Sequence, residues 1–162
     1  MMFRSGLDLL VVLKKAREIE RDFESLGEWE GYIESKDQSI REGLMKLILD
    51  SQNHFEMVSS MISAVKAPES SKSDDSASVS LSFPEESMAE ALGKILENDK
   101  LAFKLYSEID AALANSKVED LLSEEAIPQF KKDLSLLIDA ERSHVRIVTD
   151  LLAATKKAPV HN

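Results

Sequence analysis

The sequence predicts an all-α protein, a four-helix bundle of two antiparallel hairpins joined by a long crossover between the second and third helices. Three observations predict it. Apolar residues recur every three to four positions in four long stretches, the period of a helix with one buried face. Only five Gly and four Pro interrupt 162 residues, too few for the turns of an all-β chain. One stretch, Ala67 to Ser82, loses the helical period and has Ser at seven of sixteen positions, the composition of a solvated connector. The length suits a single domain, 1–162, that buries a continuous core without disulfide staples.

The first helix opens at Ser5, with Asp8 three residues on as capping partner. It continues through Leu9, Leu13, Ala16, Glu20 and Phe23 and weakens near Gly27 and Gly31. The second follows Asp37, with Ser39 and Glu42 at capping-box spacing, and its inward face reads Leu44, Leu47, Ile48, Ser51, Phe55, Val58 and Ile62. The third is expected to start at Ser82, Pro84 and Glu85, a cap with proline in the first turn. It runs through Leu92, Ile95, Asp99, Ala102, Tyr106 and Ile109 to Asn115 and Ser116.

After a turn region from Val118 to Glu125, Pro128 belongs in the first turn of the fourth helix, because deeper inside it would break the hydrogen-bond ladder. That helix reaches about Lys156, and the tail from Ala158 to Asn162 is expected to fray. The connections are thus short, long, short. Sixteen extended residues reach roughly 50 Å, and a thirty-residue helix is about 45 Å long. The connector can therefore return along the whole bundle, which makes two hairpins with one crossover.

Thirty acidic against twenty basic residues give a net charge of −10, which repels phosphate backbones and leaves no basic stripe, so no nucleic-acid partner is expected. The absence of Cys removes disulfides, zinc knuckles, thiol nucleophiles and Cys-ligated iron, and fits a reducing, cytoplasmic location. The run Leu7 to Leu13 is interrupted by Asp8 and followed by Lys14, Lys15 and Arg17. It reads as a core helix rather than a membrane span or a secretory signal. No phosphate loop, Ser-His-Asp order or dinucleotide fingerprint is present.

The chemistry lies in the polar residues that interrupt the greasy faces. Glu141 and His144 are three residues apart, hence on one helix face, and share it with Phe130, Leu134, Leu137, Ile138, Val145, Val148 and Leu152. A carboxylate and an imidazole on such a face need compensation, which a metal or a buried salt bridge supplies. Counting both ways from the tight turns puts other acids at the same height. Glu20 lies fifteen residues before Ser35 and Asp50 fifteen after it, so Glu20 faces the segment Asp50 to His54. Asp99 lies twenty-one before Asp120 and Glu141 twenty-one after it.

One acid from each of two helices, with Glu-x-x-His on a third, resembles the ferritin-like superfamily, in particular its rubrerythrin-type diiron bundles. On that resemblance Glu20 matches the first-helix Glu, Asp99 the third-helix Glu, and Glu141 with His144 the fourth-helix motif. On the second helix His54 matches the motif's His, but Ser51 stands where its Glu belongs. Either Asp50, four residues before His54, completes the set, or the site is one ligand short. The resemblance implies metal ligands Glu20, Asp50, His54, Asp99, Glu141 and His144 for two Fe or Mn ions. Tyr106, seven residues after Asp99 on the same face, is the candidate catalytic side chain, placed to hydrogen-bond a ligand carboxylate, with a satisfied core aromatic as its alternative. It implies oxidation of Fe(II) or reduction of peroxide or oxygen, a separate electron-donor protein, and a fold that can pair into a homodimer. The rival reading is a metal-free bundle of the same kind acting as a structural or interaction module.

Overall fold

The computed structural model describes residues 2–74 and 87–157, and among them all regular structure is helical, apart from one isolated bridge between Val65 and Leu122. The helices are α1 (Gly6–Asp22), α2 (Glu30–Glu34), α3 (Gln38–Ala64), α4 (Met88–Ala114), α5 (Val118–Leu121) and α6 (Ile127–Lys157). α1, α3, α4 and α6 are long and carry the core.

Local chemistry sets where they begin. At α1 the Asp8 carboxylate turns back to accept the N–H groups of Arg4 and Ser5, at 2.8 and 3.2 Å, closing the expected capping box. α3 opens on a different cap from the expected Ser39 and Glu42. Asp37 Oδ1 accepts the Ile40 N–H at 3.2 Å, and Glu42 accepts instead from the Gln38 side chain at 2.7 Å. Starting at Asp37 turns Ile40 into the core, an apolar gain that Ser39 as cap would forgo. α4 is capped by Ser87, whose Oγ accepts the Glu90 N–H while its own N–H reaches Glu90 Oε2, both at 3.2 Å. The start expected at Ser82, Pro84 and Glu85 lies outside the described residues, as do 75–86 of the crossover and the tail from Ala158. Pro128 sits in the first turn of α6, where its missing N–H costs nothing.

Side-chain neighbours give the directions. Gly6 lies against Lys66 while Glu20 meets His54, so α1 and α3 run antiparallel. Gly43 lies against Leu151 and Asp50 against His144, so α3 and α6 do as well. Asp99 approaches His144 and the Arg142 guanidinium stacks over Phe103, which sets α4 antiparallel to α6. α4 begins beside the start of α3, since Met88, Ser35, Ile40 and Leu151 line one cavity at that end. α3 and α4 thus point the same way, and their connection has to travel from one end of the molecule to the other. Its described beginning is not featureless. A 3-10 turn at Glu69–Lys72 places the Lys72 ammonium on the Ser63 carbonyl at 3.0 Å, and Asp74 pairs with Arg21 of α1 at 2.5 Å.

The two hairpins are clamped where α3 ends. Lys66 N–H donates to Leu121 O at 2.8 Å and Ser123 N–H to Ala64 O at 3.0 Å, over the buried Val65, Leu121 and Leu122. α1 enters this clamp at Gly6, where a Cβ would collide with the Lys66 carbonyl. Gly6→Ala is therefore expected to lower stability by about 1–3 kcal/mol, the usual cost of overpacking against backbone. Urea denaturation checks this, and an unchanged midpoint would refute the close approach. At the opposite end Tyr32 is buried under α3, with its hydroxyl toward Met45 Sδ at 3.7 Å, and Trp29 packs on the core. Among the described residues no helix is long and apolar enough to cross a membrane.

Candidate metal centre

Each long helix places a polar residue in a slot that the core period reserves for an apolar one. On α6 the buried positions are Phe130, Leu134, Leu137, Glu141, His144, Val148 and Leu151. On α4 they include Leu92, Ile95, Asp99, Ala102 and Tyr106, on α3 Leu47, Ser51, His54 and Val58, and on α1 Leu9, Leu13, Ala16 and Glu20. The helical repeat of three or four residues aims all of these inward. Glu20, Asp99, Glu141 and His144 are at most 1% exposed, and His54 is 6% exposed.

They meet as a row. Tyr106 O–H donates to Glu20 Oε1 at 2.7 Å, and the same oxygen lies 3.5 Å from His54 Nδ1. His54 Nδ1 is 3.0 Å from Glu141 Oε1, which in turn is 3.5 Å from His144 Nδ1. Asp99 Oδ1 closes the row 3.9 Å from His144 Nδ1. The imidazole rings stack with centroids 5.5 Å apart. His54, Glu141 and His144 form a buried group able to hold a metal ion, each offering a donor atom within 4.8 Å of the others.

Hydrogen bonding does not satisfy this row. Glu20 Oε2, His54 Nδ1, both oxygens of Asp99, both oxygens of Glu141 and His144 Nδ1 are buried without a hydrogen-bond partner, because even the 3.0 Å approach is poorly aligned. Buried polar atoms are ordinarily paired, and leaving one unpaired costs about 1–3 kcal/mol. Seven orphans converging on one layer are what a cation with several coordination positions would relieve.

The electrostatics tell the same story. Burial, followed by the neighbouring Glu141 charge, raises the Asp99 carboxyl to about 8, and burial also raises Glu20. Burial alone would lower the His54 pKa, but Glu141 and Glu20 outweigh it and hold the imidazole at about 10. His144 is raised by Glu141 and Asp50 against the same burial penalty. Glu141 is lowered, because His144 and His54 more than offset its burial. Tyr106 is pushed far up by burial and the Glu20 charge, so its hydroxyl stays a donor. The row holds more negative than positive charge, and protons fill the gap when no metal does.

A pH dependence of the metal-stripped chain follows. The His54 value lies above its unfolded 6.5, so its stabilisation is complete below 6.5 and is lost as pH rises through about 10. The raised Asp99 carboxyl acts with the same sign, since the folded chain holds its proton up to about 8. Thermal stability after chelation is expected to decline steadily from pH 6.5 to 10, and a flat profile would contradict the buried row.

Asp50 stands apart from the inward row. Its Oδ2 accepts from His144 Nε2 at 2.9 Å and from Lys46 Nζ at 2.7 Å, and its side chain is 26% exposed. The reason is angular, since Asp50 lies about 100° round the helix from Ser51 and turns toward α6 while Ser51 takes the interior slot, 1% exposed. Those contacts hold the Asp50 carboxyl below its usual range despite partial burial. They also fix His144 with Nε2 outward and Nδ1 toward the row. Lys46 did not figure in the sequence reading. Its signal was the Lys46-to-Asp50 spacing of one helical turn, which any surface pair shares. No family model, curated protein or solved structure matches this chain.

Proposed function

We propose that this chain is a ferritin-like four-helix protein that binds two iron or manganese ions between its helices. The observation that carries the reading is the set of seven unpaired buried donor atoms, presented at one height by all four long helices. The donor types fit, because carboxylates and imidazoles suit Fe and Mn and no thiolate competes. Their order suggests a division. Glu20 and His54 would hold one ion and Asp99 and His144 the other, with Glu141, within 3.5 Å of both histidines, available to both.

Such a pair, when bound, supplies electrons for reducing oxygen or peroxide, with Fe(II) oxidised and a separate protein as electron donor. The chain's own residues hold the site ready for that. Apolar residues such as Ile95, Ala102, Leu137 and Val148 flank it and exclude water. Tyr106 donates to Glu20 Oε1, the hydrogen bond to a ligand carboxylate expected from the sequence, and acts through Glu20 as a positioning residue. Asp50 positions His144 instead of ligating. Asp50→Asn is expected to keep the metal count and weaken affinity about 10–100-fold, the range for a partner behind a ligand. Competition with a chelator of known affinity measures it, and complete loss of one ion would make Asp50 a ligand after all.

A metal-free structural bundle is the second reading, favoured by Ser51 in place of a carboxylate and by the His144–Asp50 contact. Elemental analysis of the full chain, purified from cells supplied with iron and manganese, separates the two. About two equivalents per chain support the dinuclear reading. A well-folded protein with none supports the structural one.

A further inference from the structure

The two halves of the row do not match, and the mismatch defines a ligand. On α6 the residue one turn before His144 is Glu141, and on α3 the residue one turn before His54 is Ser51. Both are buried on the inward face at 1% exposure. The outer acids correspond in the same way, Glu20 on α1 and Asp99 on α4. The interior position that α6 fills with a carboxylate is therefore faced from α3 by a hydroxymethyl group. Serine and formate together have as many side-chain heavy atoms as glutamate.

Charge calls for a monoanion. Two divalent ions carry four positive charges, against the three carboxylates Glu20, Asp99 and Glu141. The Asp50 charge is already matched by Lys46 at 2.7 Å. One unmatched positive charge in a site this buried is costly, and a single monoanion removes it. A phosphate dianion would overshoot. The α3 side is also the less closed, the His54 side chain being 8% exposed and that of His144 1%.

We infer that the interior position beside Ser51 binds a small monocarboxylate of formate or acetate size, which takes the place of the carboxylate α3 lacks and joins Glu141 on the metal pair. The inference rests on the dinuclear reading. It makes the chain a binder of small carboxylates, coupled to its metal load.

The test is a Mn(II) titration of the full chain in a non-coordinating buffer, with and without millimolar formate, for wild type, Ser51→Ala and Ser51→Glu. In wild type and Ser51→Ala, formate is expected to tighten the second Mn(II) about 10-fold, an ordinary coupling between two ligands. Ser51→Glu supplies its own carboxylate and is expected to bind both ions without responding. As a readout independent of whether Ser51→Glu folds, the resonance of 13C-formate should broaden with wild type loaded with Mn(II) and desalted of unbound ion, and excess unlabelled acetate should reverse the broadening. Two bound ions with no formate effect, or broadening that excess acetate does not reverse, overturns the carboxylate site alone. No bound metal in any variant overturns the dinuclear reading and this inference with it.

Discussion

Glu141→Gln is expected to take the metal load from about two equivalents per chain to none, with the helical circular dichroism unchanged. Among the described residues no other carboxylate approaches both histidines, Glu141 lying 3.0 Å from His54 and 3.5 Å from His144, so its loss reaches both ions at once. The amide keeps the shape of the carboxylate and removes one of the three charges that offset the metals, so folding should survive while binding does not. Glu20→Gln is the internal control. Glu20 touches only the His54 end of the row, and its variant should keep about one equivalent. Metal analysis alongside far-UV circular dichroism decides it. A Glu141→Gln protein with a full load would remove the shared carboxylate from the account.

Asp99→Leu should act in opposite directions on the two forms of the protein. In the metal-stripped chain it is expected to raise stability by about 1–3 kcal/mol, the cost of a buried polar group left unpaired, which an apolar side chain of like shape removes. Leu repeats the branching of Asp with methyls in place of oxygens. Those oxygens are fully buried, lack hydrogen-bond partners, and belong to a carboxyl that burial raises to about 8. In the presence of Mn(II) the order should reverse, because wild type gains the binding energy of the second ion and the variant does not. Paired thermal melts with chelator and with Mn(II) give both signs. A metal-stripped Asp99→Leu chain less stable than wild type would mean that the carboxylate is satisfied by something other than a cation.

Most of the helical plan was legible because helix period and proline chemistry are local. The face from Phe130 to Leu151 announces α6, and Pro128 marks its first turn. The caps were harder. Ser39 with Glu42, Ser82 with Glu85 and Ser87 with Glu90 all carry the same Ser-x-x-Glu signature, and only packing chooses among such candidates. Ile40 needs α3 to start at Asp37 to reach the core.

The row itself was readable because Glu20, Asp99, Glu141 and His144 each occupy a slot in an otherwise apolar period, and hairpin counting placed them level. Asp50 was not, since a one-residue step on a helix is a turn of about 100° and periodicity of this precision does not say whether 50 or 51 points inward. That choice comes from α6, where His144 offers Asp50 a partner at 2.9 Å, while Ser51 is the residue α3 sends into the interior.

The most direct test of the central claim is a Mn(II) titration of the metal-stripped full chain followed by electron paramagnetic resonance. Two ions held by a shared Glu141 should bind to about two equivalents and show the spectrum of a magnetically coupled pair. Mn(II) that remains in solution, or a single bound ion with an isolated six-line signal, would contradict it.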